Sequence, residues 1–284
     1  VVQDGRLLFA KGYGYADLER RQPVAPEQTL FRVGSISKLF VWTAVMQLVE
    51  QGKLDLETDI NHYLGRSLQV PGTYEQPITL KHLLTHTPGF EEHILGLFAK
   101  DAEALRPLDK ILQREMPARV RPPGAMASYS NHGTGLAAFI VEQVAGLSFH
   151  DYVERYILGP LRMRQSTFRQ PLPDSLARHL SNGYSFRNGA FQKEHFEYVP
   201  LYPVGAMSAT ATDMARFMLA HLQSGSYGGA AILDSATTAL MHSPAFRHAP
   251  GLPPTLHGFY RMDRNGKRLF GHGGDTFWFH SLLA

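Results

Sequence analysis

The stretch FRVGSISK, residues 31–38, places a short apolar run directly before a helix that opens with a serine and a lysine. Residues 31–33 favour a strand because β-branched and aromatic side chains suit a pleated surface. Residues 35–51 have apolar positions around almost the whole helical circumference, which predicts a buried helix. Ser35 and Lys38 are three residues apart and therefore share one face of this helix.

Ser35 and Lys38 together supply the two groups of an activated nucleophile, a hydroxyl and a base. A serine hydroxyl reacts poorly until a base takes its proton, and a lysine can be that base if burial lowers its pKa. The positive end of the helix dipole would favour the negative charge that develops during attack. The alternative is that Ser35 caps the helix and Lys38 follows by coincidence. The pattern Ser-x-x-Lys alone leaves both interpretations open.

A second motif, Tyr129-Ser130-Asn131, follows a Pro-Pro-Gly loop and precedes an apolar helix predicted over residues 131–145. A tyrosine beside a lysine could relay protons, and an asparagine can donate a hydrogen bond to a substrate carbonyl. Asn131 could equally be the cap of its helix.

A third motif, Gly271-His272-Gly273-Gly274-Asp275, lies between two strand-like runs. Glycines allow a ligand or another backbone to approach closely. The alternative is a glycine turn that happens to contain His272.

Strands are predicted at both ends of the chain and helices between them. Asp4-Gly5 and Asn265-Gly266 are hairpin signals, and helices are predicted near residues 101–115, 148–158 and 212–222. This order predicts an α/β (α+β) fold with one antiparallel sheet, from about residues 1–55 and 205–284, and an inserted all-helical lobe over about 56–204.

Composition narrows the function classes. The chain of 284 residues is 44% hydrophobic and 19% charged, and 28 Lys+Arg against 25 Asp+Glu give a net charge of +3. The sequence has no basic cluster that would indicate a nucleic-acid partner. It also has no stretch of about 18 apolar residues, which a membrane span would require. The absence of cysteine excludes a thiol nucleophile, a thiolate metal site and a disulfide framework.

The three motifs in this order resemble the serine β-lactamase and penicillin-binding-protein superfamily. The chain looks most like the class C β-lactamase group, which includes D,D-carboxypeptidases, D-aminopeptidases and family-eight carboxylesterases. The resemblance extends to HLLTHTPG (residues 82–89), GAMSATATDMARF (residues 205–217) and GHGGDTFWFHS (residues 271–281). It therefore covers nearly the whole chain.

The resemblance implies one β-lactamase/transpeptidase-like catalytic domain over residues 1–284, with an antiparallel sheet flanked by helices. It also implies a role for each matched position. Ser35 would form an acyl-enzyme, Lys38 and Tyr129 would share the acid–base work, and Asn131, His272 and Gly274 would contact substrate or hold the proton network. The backbone amides of Ser35 and Asp275 would form an oxyanion hole.

One departure bears on the substrate, because the third motif begins with His272 where a lysine would supply a fixed charge. The expectation is a serine hydrolase of small esters, amides or peptides that needs no cofactor. A true β-lactamase or D,D-carboxypeptidase, and a non-catalytic binding or scaffold member, are the alternatives. The chain is interpreted as a segment of a longer protein, truncated at both ends, with a sheet face or edge uncovered. It is expected to be exported to the periplasm or cell surface.

Other candidates have less specific patterns. His82 and His86 have a spacing that can bind zinc, but no Glu follows His82 and the resemblance makes the segment structural, so no metal is expected. The remaining candidates are an acyl pocket or core residues (Phe277, Trp278, Phe279), a surface or helix-end pair (Asp213, Arg216) and tyrosines of substrate-facing loops (Tyr184, Tyr198, Tyr202).

Overall fold

A buried helix, α1 (Ser37–Glu50), runs through the centre of the protein in the computed structural model, which describes residues 1–284. All its residues from Ser37 to Leu48 are buried, as the apolar circumference predicts. A 3₁₀ turn, Gly34–Ile36, precedes it and carries Ser35. The helix thus begins two residues later than predicted, because the chain enters it through a tighter turn.

The other helices surround α1 or cover the sheet. They are α2 (Asn61–Leu64), α3 (Leu80–Leu84), α4 (Leu108–Arg114), α5 (Asn131–Ala145), α6 (Phe149–Val153, continued by a π-helical turn Glu154–Leu158), α7 (Asp174–Ala177), α8 (Ala211–Leu222) and α9 (Ser235–Met241). Two more 3₁₀ turns are Ala102–Ala104 and Tyr202–Val204. None of these helices combines the length and the apolar character that crossing a membrane requires.

The strands form one larger sheet and several small ones. They are β1 (Val2–Gln3), β2 (Arg6–Leu7), β3 (Tyr15–Asp17), β4 (Gln22–Pro23), β5 (Phe31–Arg32), β6 (Ser166–Thr167), β7 (Tyr184–Arg187), β8 (Ala190–Lys193), β9 (Ser208–Ala209), β10 (Ser226–Tyr227), β11 (Ala230–Ala231), β12 (Pro244–Phe246), β13 (Thr255–Leu256), β14 (Tyr260–Arg261), β15 (Phe270–Asp275) and β16 (His280–Leu283). The five-stranded antiparallel sheet has the order β12-β13-β14-β15-β16, and β5-β9-β6 form a three-stranded sheet.

The glycine-rich third motif is extended, so the alternative of a glycine turn is wrong. Residues 271–275 belong to strand β15, and the turn to β16 follows at residues 276–279. The glycines serve close backbone approach instead. A Cβ on Gly271 would lie 1.8 Å from the carbonyl oxygen of Leu283, and one on Gly274 would lie 2.0 Å from that of Val33.

The segment 56–204 contains helices α2 to α7, but much of it is irregular, and it also contains strands that the all-helical prediction missed. Strands β7 and β8 form a hairpin whose turn residues, Asn188 and Gly189, have φ values of 52° and 78°. An Asn-Gly pair is a strong hairpin signal that the sequence did carry. Strand β6 pairs with β9 and links this segment to the β5 side of the fold.

The helix predicted over residues 101–115 is shorter in the structure. Its first part is the 3₁₀ turn Ala102–Ala104, and α4 begins only after Pro107. A proline disfavours helical backbone at the preceding residue but suits the start of a helix, which explains the break. Helix α9, which begins after Asp234, was not predicted, although Asp234 is a regular N-cap that accepts from the amide of Thr237.

One continuous cluster of 52 buried apolar side chains connects the sheet side with the helical side. Helix α1 belongs to it along nearly its whole length. The two sides therefore share a single core.

The aromatic centre of this core yields a stability prediction. Phe40 is fully buried, stacks on Phe217 at 4.3 Å between ring centroids and meets Phe168 edge-to-face at 5.9 Å. We expect Phe40→Ala to lower the free energy of unfolding by about 3–5 kcal/mol because it leaves a cavity. Phe186→Ala, at a ring that is 64% exposed, should change it by less than about 1 kcal/mol. Urea denaturation measures both, and equal losses would contradict the assignment of the core.

Candidate active site

Ser35 and Lys38 lie in direct contact at the start of α1. The Lys38 Nζ donates to the Ser35 Oγ at 3.1 Å and to the carbonyl oxygen of Val204 at 2.7 Å. The Lys38 amine therefore lies within hydrogen-bond reach of the Ser35 hydroxyl. A lysine that followed a capping serine by coincidence would not need to make this contact. Ser35 makes no capping hydrogen bond, because no side chain caps the 3₁₀ turn or α1.

Burial determines the charge of this lysine. Lys38 has no solvent exposure, and burial lowers its pKa to about 7, while the carboxylate of Glu92 acts in the opposite direction. A buried ammonium loses its hydration, so the neutral amine is favoured. A substantial share of Lys38 is then unprotonated near neutral pH and available to accept a proton from Ser35.

Tyr129 completes the group around the Lys38 amine. The Lys38 Nζ lies 4.9 Å from the centre of the Tyr129 ring. The phenol hydroxyl is buried and makes no hydrogen bond of good geometry. Burial raises the pKa of Tyr129 far above its usual range, and the nearby Ser35 hydroxyl opposes this only in part. The phenol thus keeps its proton at neutral pH, which suits a proton donor or relay better than a phenolate base.

Two backbone amides converge beside Ser35. Thr276 donates its amide to the carbonyl oxygen of Phe279 in the turn just beyond the β15–β16 ladder, and because the amide direction alternates along a strand, the Asp275 amide points away from β16. The Asp275 nitrogen lies close to the Ser35 turn, since a Cβ on Gly34 would be 2.7 Å from it. The Ser35 amide belongs to the first turn of a helical segment, where amides have no acceptor within the helix.

His272 lies beside the tyrosine and is held neutral. Its ring centroid is 6.1 Å from that of Tyr129 and 5.2 Å from that of Tyr260. Burial, with a further contribution from Lys38, lowers its pKa to about 4. The Nδ1 faces the carbonyl oxygen of Gly273, and the buried Nε2 has no hydrogen-bond partner. The third motif therefore brings no positive charge to this site at neutral pH.

The structure adds two aromatic residues that the motifs did not identify. Tyr260 on β14 stacks near His86, with 6.3 Å between ring centroids, and burial raises its pKa to about 12. His86 lies 4.5 Å from the Tyr129 ring and accepts a hydrogen bond from the Ser130 amide through Nδ1. His86 lines the Tyr129 ring, and Tyr260 packs beside His86 and His272. Nothing in the sequence pattern indicates these contacts.

Asn131 is the first residue of α5 and is not its cap, because the Ser130 side chain accepts from the Gly133 amide. The Asn131 amide side chain instead donates to the Glu92 Oε1 at 2.6 Å, and the Asn131 backbone nitrogen lies 3.2 and 3.1 Å from the two Glu92 oxygens. Sequence reasoning missed Glu92, which lies just after the HLLTHTPG stretch in a segment without helix or strand.

The metal candidates have separate partners. His82 completes a capping box with Thr79, whereas His86 accepts from Ser130. No group of three His, Asp or Glu side chains is arranged to hold a metal ion.

Asp213 and Arg216 form a helix-end pair at 2.6 Å. The buried Asp213 carboxylate also accepts from the Gln165 amide and the Ser166 hydroxyl. Its contacts are structural ones that attach α8 to the β6 segment, as the helix-end interpretation predicted.

The remaining aromatic candidates pack against other parts of the protein, and one of them, Phe277, is largely exposed. Phe277 is 63% exposed and packs on Phe98, with 4.8 Å between centroids, whereas Phe279 meets Phe31 at 6.4 Å. Trp278 packs closely over Gly183. The loop tyrosines Tyr184 and Tyr202 use their hydroxyls within the protein, on the amide of Leu18 and the carboxylate of Glu142, and Tyr198 stacks on Phe196.

A protein-family model and several known proteins match this chain. A family model described as Beta-lactamase matches residues 1–284. The Bacillus subtilis protein PbpX, which carries the name of a penicillin-binding protein, is 32% identical over 226 residues, which are 76% of this chain and 52% of the relative. Esterase EstB of Burkholderia gladioli is 31% identical over 281 residues, which are 94% of this chain and 69% of the relative.

A solved structure gives the same fold. The octameric penicillin-binding protein homologue from Pyrococcus abyssi has a TM-score of 0.77 at 26% identity, over 96% of this chain and 63% of that one. The chain spans about half the length of the curated relative PbpX. The antiparallel sheet with flanking helices is thus the β-lactamase-like fold that the motifs predicted.

The contact between β15 and the Ser35 turn yields a test with a matched control. In Gly274→Ala the new Cβ would lie 2.0 Å from the Val33 oxygen and 3.1 Å from the Ser35 nitrogen, which forces the strand away from the turn. We expect labelling of Ser35 by a fluorophosphonate to slow about a hundredfold, as when one oxyanion donor is lost. Gly273→Ala meets no atom within 4 Å and should label at the normal rate. Equal rates in both variants would contradict the arrangement.

Proposed function

The chain belongs to the beta-lactamase family, and from this premise we propose that it is a serine hydrolase that acts through an acyl-Ser35 intermediate on small esters, amides or peptides. The observation that carries the proposal is the contact of 3.1 Å between the Ser35 hydroxyl and the buried Lys38 amine, whose pKa is lowered to about 7. A nucleophile and a base within hydrogen-bond reach are the minimum that acyl transfer requires.

In the acylation step, the Ser35 oxygen attacks the substrate carbonyl carbon and its proton passes to the neutral Lys38 amine. The carbonyl oxygen becomes an oxyanion that the amides of Ser35 and Asp275 stabilise. The tetrahedral intermediate then expels the alcohol or amine, which takes a proton delivered from Lys38 through the Tyr129 hydroxyl. The products are the acyl-Ser35 ester and the free leaving group.

Deacylation repeats these transfers with water. Lys38, again neutral, accepts a proton from the attacking water through Tyr129, and the same two amides stabilise the second oxyanion. The bond between the Ser35 oxygen and the acyl carbon breaks, and Ser35 takes back the proton held by Lys38. The acid product releases its remaining proton to solvent and leaves as a carboxylate.

The charge of the site favours an esterase or peptidase over a true β-lactamase or D,D-carboxypeptidase. The substrates of the latter two carry a carboxylate, which a fixed cation would bind. His272 occupies the first position of the third motif, and its pKa of about 4 leaves it neutral. The 31% identity to an esterase over 94% of this chain agrees with this choice, while the 32% identity to PbpX over 76% of the chain agrees with the alternative, so the charge of the site carries the preference. Export to the periplasm or cell surface stays a prediction.

Covalent labelling tests the proposal. We expect a fluorophosphonate to add one group to Ser35 in the folded protein, located by peptide mass spectrometry, because the Ser35 hydroxyl contacts a buried amine whose pKa is lowered to about 7. Ser35→Ala should abolish both labelling and hydrolysis of p-nitrophenyl acetate. Ser67→Ala, at an exposed serine, should retain both. Labelling elsewhere with Ser35 unmodified would refute the mechanism.

The pKa of Lys38 predicts the pH dependence of the reaction. Because the neutral amine is the active form, kcat/KM for p-nitrophenyl acetate should rise with pH and level off above an inflection near 7. His272 titrates near 4 and adds no step in this range. Lys38→Met should lose the activity, whereas Lys53→Met, at an exposed lysine, should keep the profile. A profile without a step between about pH 6 and 8 would contradict the assignment.

A further inference from the structure

The carboxylate of Glu197 is a buried group that the mechanism does not use. Glu197 is only 2% exposed and lies between β8 and the 3₁₀ turn Tyr202–Val204. Its Oε1 accepts a hydrogen bond from the Phe277 amide at 2.6 Å, whereas the buried Oε2 has no hydrogen-bond partner. Burying a carboxylate costs free energy, so its place in the fold calls for a reason.

The amide that Glu197 binds belongs to the turn directly after the Asp275 amide. Phe277 lies two residues beyond Asp275, between β15 and β16. Within this turn the Thr276 hydroxyl accepts from the amides of Trp278 and Phe279. Those hydrogen bonds are internal to the turn, whereas the one from Phe277 to Glu197 fastens the turn to another segment of the chain.

A buried arginine holds the same segment from the other side. Arg32 lies on β5 and is 1% exposed, and its Nη2 donates to the Glu197 carbonyl oxygen at 2.8 Å. Its Nη1 donates to the Ala206 carbonyl oxygen at 2.8 Å. One guanidinium therefore fastens both ends of the segment 197–206. Val204, whose carbonyl oxygen accepts from Lys38, lies within this segment.

The charges of Arg32 and Glu197 compensate each other in the interior. Burial lowers the pKa of Arg32 to about 10, and the negative charge of Glu197 opposes this effect. The guanidinium thus keeps its charge at neutral pH, and the Phe196 ring lies 4.6 Å from it. An ionised acceptor makes a stronger hydrogen bond to a backbone amide than a neutral one does, which suits Glu197 to hold the Phe277 amide firmly.

We propose that Glu197 is a positioning residue of the oxyanion hole, which holds the turn after β15 so that the Asp275 amide stays beside Ser35. This inference rests on the proposed function, because an oxyanion hole matters only if Ser35 is acylated. Glu197 also begins the segment that carries the Val204 carbonyl. The oxyanion donor and the acceptor of the Lys38 amine therefore share one support.

A role in stability alone has to be distinguished from this one. Asp213 offers the comparison, because it too is a buried carboxylate that accepts from a backbone amide, that of Gln165 at 2.7 Å. It attaches α8 to the β6 segment and makes no hydrogen bond to a group beside Ser35. Loss of either carboxylate should destabilise the fold, but only loss of Glu197 should slow the reaction of the protein that stays folded.

The test compares Glu197→Ala, Glu197→Gln and Asp213→Ala at a temperature at which circular dichroism shows the variants to be folded. We expect Glu197→Ala to lower kcat/KM for p-nitrophenyl acetate about a hundredfold, as when one oxyanion donor is lost. Glu197→Gln keeps an acceptor for the Phe277 amide and should restore most of the activity. Asp213→Ala should stay close to the wild-type value. If Glu197→Ala does not fold, Glu197→Asp, whose carboxylate is one methylene shorter, takes its place.

A transition-state analogue reports on the oxyanion hole itself. Phenylboronic acid adds to a serine hydroxyl and forms a tetrahedral adduct with one oxygen where the oxyanion would be. Its inhibition constant should therefore rise in Glu197→Ala by about the factor by which kcat/KM falls. A variant that has lost only stability would bind the analogue normally once it is folded.

A measurement on the wild-type protein does not depend on any variant folding. Amide hydrogen exchange followed by NMR should show strong protection of the Phe277 amide, although this residue is 63% exposed, because a buried carboxylate holds it. The amide of Leu95, a residue that is 95% exposed, makes no backbone hydrogen bond and should exchange rapidly.

The outcomes separate this inference from the proposed function. An unchanged kcat/KM in Glu197→Ala, or an equal loss in Glu197→Gln or Asp213→Ala, would overturn the positioning role and leave the serine hydrolase standing. So would an unchanged inhibition constant for phenylboronic acid, or exchange of the Phe277 amide as fast as that of Leu95. Failure of the wild-type protein to hydrolyse any ester, together with an unlabelled Ser35, would instead reject the proposed function and this inference with it.

Discussion

The burial of one lysine in a shared core is the constraint on which the rest of the site depends. An ammonium group loses several kcal/mol of hydration when it is enclosed, and Lys38 has no solvent exposure. The protein supplies only neutral acceptors to the amine, the Ser35 hydroxyl and the Val204 carbonyl. This poor compensation is what keeps the amine close to its neutral form. A more complete set of acceptors would stabilise the charge and remove the base.

The backbone contact between Gly274 and Val33 complements that constraint. Two segments from opposite ends of the chain approach until no side-chain carbon fits between them. The approach brings the Asp275 amide to the Ser35 turn without any side chain in between. Backbone amides held in this way lose no rotamer freedom when they bind an oxyanion, which is the advantage of a preorganised donor.

The sequence contained the reacting groups but not the groups that adjust them. Ser35 and Lys38 could be paired from helical spacing, and Tyr129 and His272 from the resemblance. Glu92 could not be found, because its segment has no periodicity and its relation to Asn131 is purely spatial. The Val204 carbonyl had no signal either, since any residue type supplies a backbone oxygen. The missed hairpin at Asn188-Gly189 is different, because its turn residues were readable and only the expectation of an all-helical region excluded them.

The three-stranded sheet joins distant parts of the chain, and this affects how fast the protein reaches its native state. Strand β9 pairs with β5, from near the start of the chain, and with β6, from its middle. Contacts between such distant segments form only after a large loss of chain entropy, so a fold rich in them reaches its native state slowly. Ser35 and Asp275 belong to segments that are joined in the same non-local way. A nascent chain therefore has its nucleophile and its base early, in the 3₁₀ turn and the helix that follows it, but cannot use them until the last strands have been synthesised. Reactivity at Ser35 is thus a late reporter of folding, and it would appear only together with the completed sheet.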